Sequence, residues 1–271
     1  MNRRIDALCA CAAIVLGCAA LGPEALAASK PQEAIDGVWV VRPEYYVGAR
    51  LSPQPELTPA AEAQRKRRAE ASARGYVRSV GNMLCEGGGG PSLFMIRSPF
   101  EVFSGFGRLT FIFETETFNQ PRTVYLDEKT QPADIFPSAN GHSIGHWEGG
   151  TLVVDTAGLN DRGALLGGIQ RSDKAHIVER FTVSPDGKTL ADEVRMEDPE
   201  VLAKPWTVKL VFDREPNTEE RFEVACDVDL DALAAVDLKS LKGADPEVDR
   251  LLDPDRRGTD PALKIAKPET K

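Results

Sequence analysis

The run Gly141-His142-Ser143-Ile144-Gly145-His146-Trp147-Glu148-Gly149-Gly150-Thr151-Leu152-Val153-Val154-Asp155-Thr156 decides the fold class. Gly149-Gly150 is a two-residue loop of the kind that tight antiparallel turns require. The residues on either side alternate with the two-residue period of a strand. The reading predicts a hairpin in which Glu148 lies opposite Thr151, His146 opposite Val153 and Ile144 opposite Asp155. Successive strand side chains point to opposite faces. His142, Ile144, His146 and Glu148 therefore share one face, and Trp147, Leu152 and Val154 form the other. Asp155 is expected diagonally near both imidazoles. One face belongs to the core and the other is a polar site or solvent; periodicity leaves open which is which.

The same alternation extends in both directions. A second hairpin joins Ala175–Val183 to Thr189–Glu197 through Ser184-Pro185-Asp186-Gly187. Half-buried strands are read at Leu109-Phe111-Phe113, Val124-Leu126, Trp206-Val208-Leu210-Phe212 and Phe222-Val224-Cys226. Such a series of antiparallel strands joined by hairpins favours a closed meander or a sandwich. The fold expected is mainly β, an antiparallel meander forming a lipocalin-like barrel over residues 91–243. A barrel of about eight strands either fills with side chains or holds one small ligand. Residues 28–90 precede it with one strand candidate, Gly37–Val41, a Pro-rich linker and a charged helix. Thr58 caps that helix, Pro59 begins it, and Ala60–Arg74 runs to a stop at Gly75. With no large apolar residue to bury, it reads as a surface connector. A short C-terminal helix is expected over Leu230–Leu241, stopped by Gly243, and residues 244–271 read as a charged, disordered tail.

The first residues carry an export signal. Arg3 and Arg4 precede an apolar run, Ala7–Leu21, and Ala25-Leu26-Ala27 supplies the small residues of a cleavage site. Cleavage after residue 27 leaves about 244 residues, enough for one large β domain. The alternative is a lipoprotein, because Val15-Leu16-Gly17-Cys18 is similar to a lipobox with Cys18 as the lipid anchor. The apolar run is shorter than the roughly 20 residues that span a bilayer, so no transmembrane segment is expected and the protein is placed in the periplasm or outside the cell. Of five cysteines, Cys85 and Cys226 lie beyond the leader. In an oxidising compartment they suggest one disulfide, with two buried thiols as the alternative. The formal charge of -9 and a single basic run, Arg65-Lys66-Arg67-Arg68, argue against a nucleic-acid partner.

All three histidines fall between residues 142 and 176. His142 and His146 are roughly 13 Å apart on a strand, too far to share one ion unless the segment bends or is helical, so a metal is the less favoured reading and no cofactor is expected. Acid/base work needs one imidazole or carboxylate near a substrate proton and a neighbour that holds its tautomer. An Asp155–His146 contact would provide that. The bland alternative is that these are surface residues of a hairpin. On the next strand His176 precedes an apolar stripe of Ile177, Phe181 and Val183 that also carries Glu179. A buried Glu179 needs a cation such as Arg122 or Arg195, or else has its pKa raised. No G-x-S-x-G or Walker-type loop is present, and Gly87–Gly90 precedes Pro91 rather than a helix.

The motif at 141–156, with His176–Thr182, Asp198-Pro199 and Pro205-Trp206-Thr207, resembles a widespread group of secreted bacterial β proteins, most without an assigned activity, that share GxSxGxWEGxTLVVxT. The resemblance covers roughly Pro99 to Phe212. Many relatives carry Asp and Arg where this chain has His142 and His146, and Asp where it has Gly150. The resemblance implies a common scaffold and transfers no catalytic residue. The function expected from the residues is a cofactor-independent periplasmic lyase or isomerase acting by acid/base chemistry on a small, partly aromatic substrate. Its candidate residues are His142, His146, Glu148, Asp155, His176 and Glu179. A non-catalytic binding protein of the same fold and a structural envelope protein with a filled barrel are the alternatives.

Overall fold

A computed structural model describes residues 34–46, 51–76, 88–96, 98–114, 121–216, 237–244, 248–249 and 252. Nine strands close into one barrel in chain order. They are β1 (Gly37–Val41), β2 (Phe100–Gly105), β3 (Arg108–Phe113), β4 (Arg122–Tyr125), β5 (His142–Glu148), β6 (Thr151–Ala157), β7 (His176–Val183), β8 (Thr189–Glu197) and β9 (Trp206–Arg214). Closure rests on β1, where Trp39 pairs with Phe100 on one side and Arg214 on the other. The barrel thus takes in Gly37–Val41, which the sequence places in the preceding extension, and so leaves no open edge.

One part of the expected topology is corrected. The sheet is not a purely antiparallel meander, because β4 and β5 run parallel, with Val124 opposite Ser143. A parallel pair cannot be joined by a tight turn, and here the chain crosses over through residues 126–141. Both expected hairpins form, the first in the expected register with Ile144 opposite Asp155, the second with His176 opposite Glu197. Gly149 takes φ 60° at the first of these turns, where a side chain is disfavoured. Gly145 has a different constraint. It points inward, and a Cβ there would stand 2.6 Å from Val124 Cγ1, so only hydrogen fits.

The expected surface helix is α1 (Pro59–Ala73). Thr58 caps it by accepting a hydrogen bond from the Ala61 amide, and only Ala61 and Ala71 are buried. The Leu230–Leu241 helix is described only at its end, where Leu238–Leu241 forms a 3-10 turn. The leader, Cys18, Cys85, Cys226, the strand at 222–226 and nearly all of the tail lie outside the described residues. No helix among the described residues is long and apolar enough to cross a membrane.

The barrel is filled with aromatic rings. A 3-10 turn, Ser92–Met95, delivers Phe94 into the interior. Its ring lies 5.0–5.8 Å, edge-on, from Phe100, Phe111, Phe113, Phe181 and Phe212. Edge-to-face geometry suits the ring quadrupoles and adds to the area each ring buries. Arg171 ties the surrounding loops together. Its guanidinium donates to the carbonyls of Asn160, Gly88, Gly90 and Ala139. Burial pulls its pKa down to about 10, which still leaves it cationic at neutral pH.

If Phe94 is the keystone of the interior, Phe94→Ala leaves a void that five rings cannot collapse to fill. A loss of roughly 3–5 kcal/mol is expected, measurable by urea denaturation. A loss below about 1 kcal/mol would show that the rings close the gap.

Candidate functional site

The outward and inward faces of the 141–156 hairpin are resolved by burial. Ser143 and Gly145 are buried on β5, whereas His146 and Glu148 are exposed and His142 and Ile144 half-buried. The histidine face therefore looks outward. A filled interior has no room for it, because Trp147 packs against the core with Leu152 and Val154.

On that outer face the expected site residues separate into three small groups. His142 Nε2 stands 2.8 Å from Glu128 and its ring stacks on Tyr125, centroids 4.8 Å apart. His146 reaches its strand neighbour Glu148 at 3.2 Å, and Glu148 also accepts from Arg180. The expected Asp155–His146 contact does not form. Asp155 instead meets His176 Nε2 at 2.9 Å and accepts from Gln131 at 2.8 Å; all three imidazoles are diagonal to it across a strand pair, and those of His142 and His146 are engaged by Glu128 and Glu148. This hydrogen bond raises the His176 pKa and lowers that of Asp155. Both side chains remain more than a third exposed, so the pair is a surface contact rather than a desolvated dyad. No group of three metal-ligating side chains occurs among the described residues.

Glu179 behaves differently. It points inward, is fully buried, and pairs with Arg122 through both oxygens, the Nη1–Oε1 contact being 2.8 Å. Arg122 was one of the two cations expected for it; the other, Arg195, pairs with Glu197 instead. The Arg122 guanidinium also donates to Thr156 at 3.0 Å and lies 5.9 and 5.7 Å from the Phe94 and Phe111 ring centres. Burial pulls the Arg122 pKa down, but the charge and hydrogen bonds of Glu179 outweigh it and leave the group above its ordinary value. Removing one member of such a pair strands the other in low dielectric and typically costs ~3–5 kcal/mol. The role that follows is structural.

Asp192 on β8, not singled out from the sequence, completes this cluster. It is fully buried, and neither of its oxygens has a hydrogen-bond partner of normal geometry among the described residues. Burial, and then the charge of Glu179, push it well above the usual carboxylate range; Arg122 and the Arg180 amide offset only part. Its strand position, among Leu190, Val194 and Met196, was the available signal.

The third feature is a groove at the end of the barrel where β9 begins, with a volume of about 400 Å³. Its floor is Leu51, Pro55, Leu57, Ile169 and Trp206, and Gln54, Glu62 and Arg65 line its rim. Trp206 opens β9 and is fixed by donating from Nε1 to the Pro53 carbonyl at 2.7 Å. Segment 56–58 is held beside it by Thr58 N–H to Val201 and Ala203 N–H to Glu56. A smaller hollow continues along α1 past Arg65 and Ile169 to Gln64, Arg68 and Gln170. The sequence signal was in α1 itself. Ala61, Gln64, Arg65 and Arg68 occupy the i, i+3, i+4, i+7 stripe that ordinarily carries apolar residues into a core, and no large apolar side chain stands on it.

No protein-family model matches the chain, and no curated protein matches it.

Two pH dependences follow. For Asp192 the unfolded chain ionises near ~3.9 while the folded state keeps its proton to higher pH, so stability falls as pH rises through that window. Asp192→Asn should therefore gain in melting temperature relative to the parent as the pH is raised above ~4; a constant offset would show that Asp192 is ionised when folded. For His176 the raised folded-state pKa has the mirror consequence. The stabilisation is complete below ~6.5 and disappears as pH climbs through the folded value. His176→Ala should therefore lower the melting temperature more at about pH 6 than at about pH 9, and an equal loss at both would mean that Asp155 does not hold the charged imidazole.

Proposed function

We propose that the protein is an exported, non-catalytic binding protein that takes one small, largely apolar ligand in the groove between α1 and the end of the barrel where β9 begins. The observation that carries this reading is an apolar floor around Trp206, roofed by a helix whose facing stripe has no large apolar side chain. Its volume falls within the range of ~300–1,000 Å³ common for small-molecule sites. Export rests on the Arg3-Arg4 start, the apolar run and the Ala25–Ala27 cleavage signal, with a lipid anchor at Cys18 as its variant. The likeness to lipocalins is proposed for the closed sheet alone, since the Phe94 cluster occupies the place where a lipocalin would hold its ligand. Membership of the secreted bacterial group is proposed on the 141–156 motif.

A second reading, an acid/base lyase or isomerase, retains one supporting observation, the Asp155–His176 pair braced by Gln131. Its residues lie on an outer face of the sheet that no described residue closes off from water.

The uncharged fluorophore 1-aminoanthracene tests the choice. The parent protein should bind about one equivalent saturably. Ile169→Trp, which places bulk in both parts of the groove, should weaken binding at least about tenfold, ~1.4 kcal/mol. His146→Ala should leave both affinity and melting temperature unchanged. Unaltered binding by the Ile169 variant would remove the groove as the site.

A further inference from the structure

We infer that the groove selects a single-chain amphipathic carboxylate, with its apolar body on the Trp206 floor and its carboxylate at Arg65 and Arg68; this rests on the groove being the ligand site.

The charge distribution carries the inference. The chain has a formal charge of -9, and its one dense basic run, Arg65–Arg68, lies on α1. Two of that run's four cations, Arg65 and Arg68, line the groove and its continuation. Arg65 is engaged with Glu62, from Nε at 2.9 Å and from Nη2 at 2.5 Å. A guanidinium has five N–H donors, so the Nη1 end remains for a ligand. Arg68 has no hydrogen-bond or ion-pair partner among the described residues. One turn separates the two, which puts both on one helix face.

With Glu62 as the opposing charge, the groove has a surplus of one positive charge. One carboxylate matches that surplus, whereas a phosphate monoester brings about -1.5 to -2. Planar, forked guanidinium donors also fit a carboxylate in two-point geometry. The floor supplies the other half of the recognition. Leu51, Leu57, Ile169 and Trp206 offer no charged group, and the Trp206 N–H is already spent on Pro53. A ligand body lying there gains only by being apolar. Gly168 leaves open space beside Ile169, so the hollow continues from the floor toward Arg68 without a barrier of side chains.

Three ten-carbon probes that differ only in the head group make the test: decanoate, decanol and decyltrimethylammonium, each titrated below its micelle concentration against bound 1-aminoanthracene. Decanoate should displace the dye at least about tenfold more tightly than decanol, and the ammonium probe should be the weakest, with the decanoate advantage shrinking as salt is added. Arg68→Gln should bring decanoate close to decanol while leaving decanol itself unchanged. Glu62→Gln, which removes the competing acceptor, should tighten decanoate several-fold. Arg68 is exposed, so the variant should keep the parent melting temperature. Equal binding of decanoate and decanol, or an Arg68→Gln variant that retains the preference, would overturn the carboxylate assignment while leaving the groove in place. Failure of both decanoate and decanol to displace the dye would overturn the groove as the ligand site and this inference with it.

Discussion

A β-barrel of this size has an interior that must be filled either by its own side chains or by something it binds. In this protein the filling is done by a ring that does not come from the sheet. Phe94, delivered by the Ser92–Met95 turn, stands among Phe100, Phe111, Phe113, Phe181 and Phe212. Protein interiors are packed as densely as organic crystals, so this one insertion removes the space a ligand would need there. It also dictates the rest of the local design. The turn has to be anchored, and Arg171 anchors its approach by gathering carbonyls from residues 88, 90, 139 and 160. A cation is an economical anchor for loops because it offers five donors and asks for no hydrogen from the backbone.

The buried charges are to be read against this filling. Arg122 and Glu179 face each other across the interior, with Ser143 and Thr156 beside them and two phenylalanine faces against the guanidinium. Such a pair is weak evidence for added stability, since desolvation offsets most of the attraction. Its value is in specificity, because a shifted register of β4 or β7 would leave one charge alone. Asp192 lacks such compensation, and burial pushes its carboxyl well above the usual carboxylate range. Perturbed carboxylates often mark catalytic sites, but here no opening to solvent reaches the group through described residues, as its full burial shows.

The proposed binding site is accordingly the groove at the end of the barrel where β9 begins. The groove is bounded by a helix that covers Ala61 and Ala71 but presents long polar side chains where a packing helix would present leucines. Such a helix roofs the floor without filling it. The floor stays rigid because its parts are pinned by backbone hydrogen bonds between segments 56–58 and 201–203. A preformed site of this kind binds with little ordering cost.

Local pattern determined much of this protein. Strand periodicity and the two-glycine turn specified the 141–156 hairpin to the residue, and the apolar stripe around Glu179 pointed to a buried acid with Arg122 or Arg195 as its partner, of which the fold uses Arg122. Those features depend on neighbours one or two residues away, or on a rule as strict as the pairing of buried charge. Three other matters were decided only in three dimensions. Which face of the hairpin turned inward depended on Phe94 occupying the interior, and Phe94 sits in a short turn whose spacing carries no period. The parallel β4–β5 pair depended on where the 126–141 crossover landed. Asp155 lies diagonal to His142 and His146 on β5 and to His176 on β7 alike, and it meets His176 because the other two imidazoles are engaged by Glu128 and Glu148. The alternation of a strand states that two faces differ; only packing of the whole barrel says which of them meets water.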